Sequence, residues 1–419
     1  MDLGIWCDYG TTLTPTEGIG VFVANLVQGL VHQPSIDRIV LVSRRGHEHL
    51  LESLRQLAPD KIQVLGNRRL PFHLRKTWKL LRQLDRRSRE RSGRGITESG
   101  LRGLAYRWLA RQVEQAKPPG LQGIDLWLLP YVALEQDFAE PTVVVVHDLI
   151  PYHFGDGGPP EKLAAFKRLV NQVTERATLV ACMSNFILAN DLHGTLGLPT
   201  SKTRMVRPAV PRDFAHAGAG GAALPSAVPA GRYLLYPAAF RGYKNHRLLV
   251  ESLPLLNRDR AVPLHLVFTG IKRTPRSLVR LIEGLRVSSW VHVLGKVSRG
   301  ELEALYRHAH ATAVPSLYEQ GSFPLMEALF FDCPILAADI PALREQLEAL
   351  GDAAIYFDPH SPAAFVRAVE DLERDRGGRL TRQVAGFARM KQRTWQDAAR
   401  EWCAVFDEAL AAASRARPA

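Results

Sequence analysis

Four cysteines in 419 residues, Cys7, Cys182, Cys333 and Cys403, are too few and too scattered for a disulfide framework, and no CxxC pair occurs. Each lies in an apolar stretch, which marks it as a buried thiol in a reducing compartment. No apolar run approaches the length of a membrane span, and the opening MDLGIWCDYG lacks a basic leader, so a cytoplasmic location is expected. An Asp-x-Asp pair, which would suggest metal-bridged phosphates, is missing, and no metal site is expected. Acids are also in deficit: 42 Asp and Glu face 54 Lys and Arg, a net charge of +12.

That excess has an address. Between Arg68 and Lys117 fifteen basic residues stand against four acids. Within FHLRKTWKLLRQLDRR the apolar residues Leu74, Trp78, Leu81 and Leu84 recur at helical spacing among cations, the pattern of a basic amphipathic helix that rests on anionic membrane. Periodicity alone fits a solvated helix face equally well.

Elsewhere short apolar runs alternate with helical patterns, which indicates an α/β protein with parallel sheets. The first series of strands runs from Leu3–Asp8 to Thr203–Arg207, with TVVVVH near its centre reading as a strand buried on both faces. A second series runs from Tyr233–Tyr236 to Ala354–Phe357. Between them AHAGAGGAALPSAVPAG, residues 215–231, has a linker composition. The expected domains are therefore 1–214, with the basic insert at about 68–117, and 232–395. The tail with Trp395, Trp402 and Phe406 is read as one amphipathic helix from Arg382 to Leu410, whose last part, 396–419, is expected to return to the first domain. Ligands of such sheets bind beyond the carboxyl ends of the strands, so a cleft between the two domains is the expected site.

The most pointed signal is YEQGSFPLMEAL, in which Glu319 and Glu327 have seven residues between them across a Gly321–Ser322 turn that opens a helix. A helix N-terminus is an anion site, and carboxylates beside it suit the hydroxyls of the same ligand. An anion joined to polyhydroxylated groups describes a nucleotide sugar. In the bland reading Glu327 is a first-turn acid favoured by the macrodipole and Glu319 a solvated loop residue. Three other segments point the same way. TEGIG places Gly18 and Gly20 between a strand and a helix, where backbone can approach a phosphate. HDLIPYHF puts His147 at the end of the central strand, either facing a ligand or tied structurally to Asp148. FRGYKNHRLLVESL sets Arg241 and Lys244 near a helix start, where cations are misplaced unless they share an anion.

YEQGSFPLMEALFFDCPILAADIPALREQLEALGDAAIYFDP resembles the signature region of the retaining GT-B glycosyltransferases of family four, and the order of glycine loop, strand-end His, MSNF, linker and KN pair follows that family. The resemblance is to bacterial mannosyltransferases of polysaccharide and O-antigen assembly. It implies two doubly wound Rossmann-like domains facing a central cleft. It also implies that Glu319 contacts the donor sugar, that Glu327 holds the ribose diol, and that Lys244 with the Ser322 and Phe323 N–H groups meets the diphosphate. Gly20 would line the phosphate side and His147 would lie near the leaving group. The donor expected is a nucleotide sugar, GDP-mannose, used as substrate with no cofactor. The acceptor expected is a saccharide or lipid-linked saccharide at the inner face of the membrane. Two departures stand out: QGSFP where GFGLP is usual, and Gly242-Tyr243 where Pro-Arg is common, with Arg241 a candidate for the missing cation. A nucleotide-sugar epimerase or phosphorylase of the same fold is the alternative enzyme. A nucleic-acid or membrane-binding protein driven by the basic segment is the alternative outside enzymes.

Overall fold

A computed structural model describes residues 1–9, 11–15, 18–67, 121–132, 138–155, 159–211, 223–229, 231–270 and 273–416. The basic segment 68–117 with its expected amphipathic helix lies outside these residues, as does much of the linker.

Both series of strands are present, and those expected at Leu3–Asp8, Thr203–Arg207, Tyr233–Tyr236 and Ala354–Phe357 form within two residues at either end. The first sheet comprises β1 (Asp2–Trp6), β2 (Arg38–Arg44), β3 (Ile62–Asn67), β4 (Leu126–Leu129), β5 (Thr142–Val145), β6 (Leu179–Cys182) and β7 (Thr203–Met205). Its order is β3-β2-β1-β4-β5-β6-β7. The second sheet comprises β8 (Tyr233–Pro237), β9 (His265–Thr269), β10 (Val291–Gly295), β11 (Ala311–Val314), β12 (Ile335–Ala338) and β13 (Ile355–Phe357). Its order is β10-β9-β8-β11-β12-β13, parallel throughout. Central strands such as TVVV, ATAV and ILAA are buried at every position, as a parallel sheet covered on both faces requires.

The helices that matter below are α1 (Ile19–Leu30), α2 (Glu52–Arg55), α3 (Ile150–Phe154), α4 (Pro160–Arg176), α5 (His246–Leu256), α6 (Arg276–Gly284), α7 (Arg299–His308), α8 (Phe323–Phe330), α9 (Pro341–Gln346), α10 (Pro362–Arg374), α11 (Arg376–Met390) and α12 (Trp395–Ala416). A capping box starts α7, with Ser298 and Glu301 each accepting the other's backbone N–H. The tail is not one helix from Arg382 to Leu410. It breaks between α11 and α12, where Thr394 Oγ1 accepts the Asp397 N–H and Asp397 Oδ2 accepts the Thr394 N–H, a reciprocal cap that starts a new helix.

The chain divides into two compact units. One comprises Met1–Val145, Val173–Leu179 and Cys403–Ala419; the other comprises Val146–Gln172 and Val180–Trp402. His147, the 183–211 segment and the whole second sheet thus fall in the same unit. In each sheet the strand order reverses beside the first strand of its series, between β1 and β4 and between β8 and β11. Loops leaving the carboxyl ends of such neighbours diverge, which opens a crevice for a ligand.

Candidate functional site

The β8/β11 reversal explains why Lys244 and Glu319, 75 residues apart, meet. After β8 the chain makes a tight turn at Gly242–Lys244 and then places Asn245 in the left-handed region at φ 54°, immediately before α5. Lys244 is therefore in the turn and not in the helix. Asn245 holds this conformation by donating through Nδ2 to the Pro315 and Pro359 carbonyls at 3.0 and 2.8 Å. The Leu317 N–H donates to the Tyr243 carbonyl at 2.8 Å, and the Tyr236 hydroxyl lies 3.1 Å from the Lys244 carbonyl and 3.0 Å from Ser316 Oγ. Between loops stitched this closely, Lys244 Nζ reaches Glu319 Oε1 at 2.5 Å, with the two side chains 16% and 6% exposed. The cation that looked misplaced in the sequence has a carboxylate partner, which offsets part of the desolvation cost of holding it there.

Helix α8 starts at Phe323 with Ser322 as its N-cap. Glu327 is its fifth residue and not a first-turn acid, which removes the macrodipole as the reason for its presence. It accepts the Tyr306 hydroxyl at 2.6 Å. Burial pushes the Glu327 carboxyl above its ordinary range, against the opposing effects of Tyr306 and Arg299. The Ser322 N–H, expected to face a diphosphate, donates instead to Gln346 Oε1 at 2.7 Å, and Gln346 Nε2 returns a bond to the Ser322 carbonyl at 3.0 Å. Gln346, at the end of α9, thereby fixes the Gly321–Ser322 backbone. Ser322 Oγ is buried and finds no hydrogen-bond partner among the described residues. A buried hydroxyl left unpaired at a helix N-terminus is costly unless something fills the site. Phe323, the first residue of α8, is 43% exposed.

His147 is buried just beyond β5, and Asp148 beside it accepts the Ile150 N–H at 3.1 Å. Burial raises the Asp148 carboxyl; the Ile150 bond opposes this, and the charges of Asp191 and Glu319 add to it. Arg241 is exposed. Gly18 and Gly20 belong to the other unit, at the start of α1, where Gly18 has φ 49°. A Cβ on Gly20 would lie 1.7 Å from the Thr14 carbonyl oxygen, so the glycine there serves the loop's own packing.

One cluster was missed in the sequence. Asp191, fully buried, accepts the Leu149 N–H, His153 Nε2, Asn190 Nδ2 and the Tyr318 hydroxyl. It ties α3 to the residue just before Glu319. Glu345 accepts the Asn185 and Phe186 N–H groups at 2.7 and 3.0 Å, so the MSNF and PALRE segments meet through it. Among the described residues, no grouping of three or more His, Cys, Asp or Glu is placed to hold a metal, and no helix is long and apolar enough to cross a membrane.

Two parallel Rossmann-like sheets with a site at the second reversal define the GT-B class. Solved structures of similar fold include the sucrose-phosphate synthase of Thermosynechococcus elongatus, with TM-score 0.64 and 15% identity over 98% of this chain and 100% of that one. Another is the Anabaena HepE protein in complex with UDP-glucose, with TM-score 0.61 and 14% identity over 97% and 100%. Residues 227–391 match the family model of glycosyl transferases group 1. Curated relatives include an O-antigen chain mannosyltransferase of Escherichia coli, 26% identical over 39% of this chain and 43% of its own length. A second O-antigen chain mannosyltransferase, from Salmonella typhimurium, is 32% identical over 28% and 33%. The matches thus span less than half the length of these two relatives.

Proposed function

We propose that the chain is a retaining glycosyltransferase that moves a hexose, mannose, from GDP-mannose to a saccharide or lipid-linked saccharide acceptor in cell-envelope polysaccharide synthesis. The observation that carries this reading is the start of α8. An unpartnered buried hydroxyl at the helix N-terminus lies three residues from Glu319 of the Lys–Glu pair and five from the half-buried carboxylate of Glu327. An anion with hydroxyls on both sides answers all three features. The choice of mannose rests on the names of the E. coli and Salmonella relatives.

In this reading Glu327 accepts the ribose hydroxyls, Ser322 Oγ and the Phe323 N–H meet the diphosphate, and Glu319 accepts hydroxyls of the donor sugar while holding Lys244 against the phosphate. The bond between the anomeric carbon and the phosphate oxygen breaks as the acceptor oxygen bonds to that carbon on the same face. The acceptor proton passes to the departing phosphate oxygen, and the products are a glycoside and the nucleoside diphosphate. Lys244 and the α8 N-terminus stabilise the charge developing on that diphosphate, in a site whose loops are already fixed before reaction. His147 is assigned to the sugar end, beside the leaving group. The basic segment 68–117 would hold the enzyme at the inner membrane face.

A thermal-shift screen of GDP and UDP sugars, followed by product analysis with a labelled donor, tests the proposal, because a bound donor stabilises by mass action. Stabilisation by GDP-mannose with release of GDP and a labelled glycoside of unchanged anomeric configuration is expected. A product epimerised while still attached to nucleotide, or no response to any nucleotide sugar, contradicts it.

A further inference from the structure

Among the described residues the exposed large hydrophobics include two phenylalanines, Phe154 and Phe323, and both adjoin the site. Phe323 opens α8. Phe154, 43% exposed, ends α3, with its ring centroid 5.8 Å from that of Tyr243 and 6.1 Å from that of Tyr318. A phenyl ring left this open to water forgoes burial energy. Phe154 is not loosely held. Its neighbour His153 bonds Asp191 at 2.9 Å and lies with its ring centroid 5.0 Å from that of Tyr318, and Leu149 at the start of α3 bonds the same carboxylate. The fold thus fixes α3 at both ends and keeps the ring presented.

Beside it the chemistry continues. Lys244 Nζ lies 5.3 Å from the Tyr243 ring centroid and 2.5 Å from Glu319. The Tyr243 hydroxyl is pushed up to about 12, first by burial and then by the charge of Glu319, and Asp148 accepts the Ile150 N–H at 3.1 Å at the start of the same α3 that ends in Phe154. An aromatic face bordered by carboxylates and a phenol is the arrangement that receives a pyranose ring: its C–H face lies on the aromatic and its hydroxyls turn to the oxygens at the rim. We propose that Phe154 and Tyr243 form a stacking shelf for a pyranose ring, with Asp148 and Glu319 accepting its hydroxyls. The shelf rests on the glycosyltransferase reading for its purpose, and its ring belongs to the acceptor saccharide or to the donor hexose.

Saturation-transfer NMR with methyl α-D-mannopyranoside, on the full chain in the presence of GDP, tests the acceptor source, and calorimetry with GDP and GDP-mannose tests the donor source. Phe154→Ala is expected to weaken the glycoside about 3- to 10-fold, as loss of one stacking contact implies. GDP affinity stays within about twofold and Phe154→Trp restores binding. If the variant weakens GDP-mannose relative to GDP and spares the glycoside, the shelf stands with the donor ring on it. Unchanged binding of both overturns the shelf, as does a wild-type chain that binds neither. A wild type that ignores GDP and GDP-mannose yet binds the glycoside through Phe154 keeps the shelf and sinks the glycosyltransferase reading.

Discussion

Two helices of this chain begin beside glycines, and the sequence signals are alike. At α1 the glycines serve the fold: Gly18 takes φ 49°, and Gly20 lets the Thr14 carbonyl come so near that a Cβ would stand 1.7 Å from it. At α8 the glycine has room. A Cβ on Gly321 would meet nothing closer than 3.9 Å, at the Gln346 amide, yet the next residue buries a hydroxyl without a partner. A glycine before a helix therefore reports packing in one place and an open polar site in the other. What separates them is the unsatisfied group, not the glycine.

The largest effect is expected from breaking the pair beside α8. Lys244→Met leaves Glu319 buried and unpaired, which costs about 3–5 kcal/mol in denaturant unfolding. Adding Glu319→Leu recovers most of that stability while transfer stays lost, which separates structural from functional damage. At α1, Gly20→Ala is expected to cost about 1–3 kcal/mol, seen as a lower melting temperature, because backbone has to shift to admit the methyl group. A melting temperature equal to wild type would erase the contrast between the two helix starts.

Smaller effects sharpen the α8 side. Ser322→Ala removes a buried unpaired hydroxyl, so stability is unchanged or rises by about 1 kcal/mol while GDP affinity falls. Glu327 gives a pH signature. Its folded carboxyl is raised by burial, so its contribution to stability is largest when protonated and is lost as pH rises through the raised value. Binding of a ribose diol needs the carboxylate, so GDP affinity falls as pH drops through a value above the ordinary 4.5. Glu327→Gln removes both dependences. Gly321→Ala, with no positive φ and no close neighbour, is expected to shift stability by less than about 0.5 kcal/mol.

Much of this was legible in the chain. The strands were readable because buried parallel strands such as TVVV and ATAV are continuous apolar runs, and the Glu319–Glu327 spacing marked the helix start that the structure places there. Partnerships were not legible. Lys244 finds Glu319, and Asp191 finds Tyr318 across 127 residues, only because loops from separate strand ends converge. Nothing local in NDLH or SLYE announces that contact. The helix break near Thr394 was missed although Thr394 and Asp397 stand three apart, because the apolar periodicity on either side hid the cap.

The proposed seat of the nucleotide is α8, and calorimetric titration of GDP-mannose against wild type and Glu327→Ala tests that directly. The prediction is saturable binding by the wild type and at least a tenfold loss, about 1.4 kcal/mol, in the variant, with the variant still folded by its unfolding transition. Equal affinity in the two proteins would contradict it.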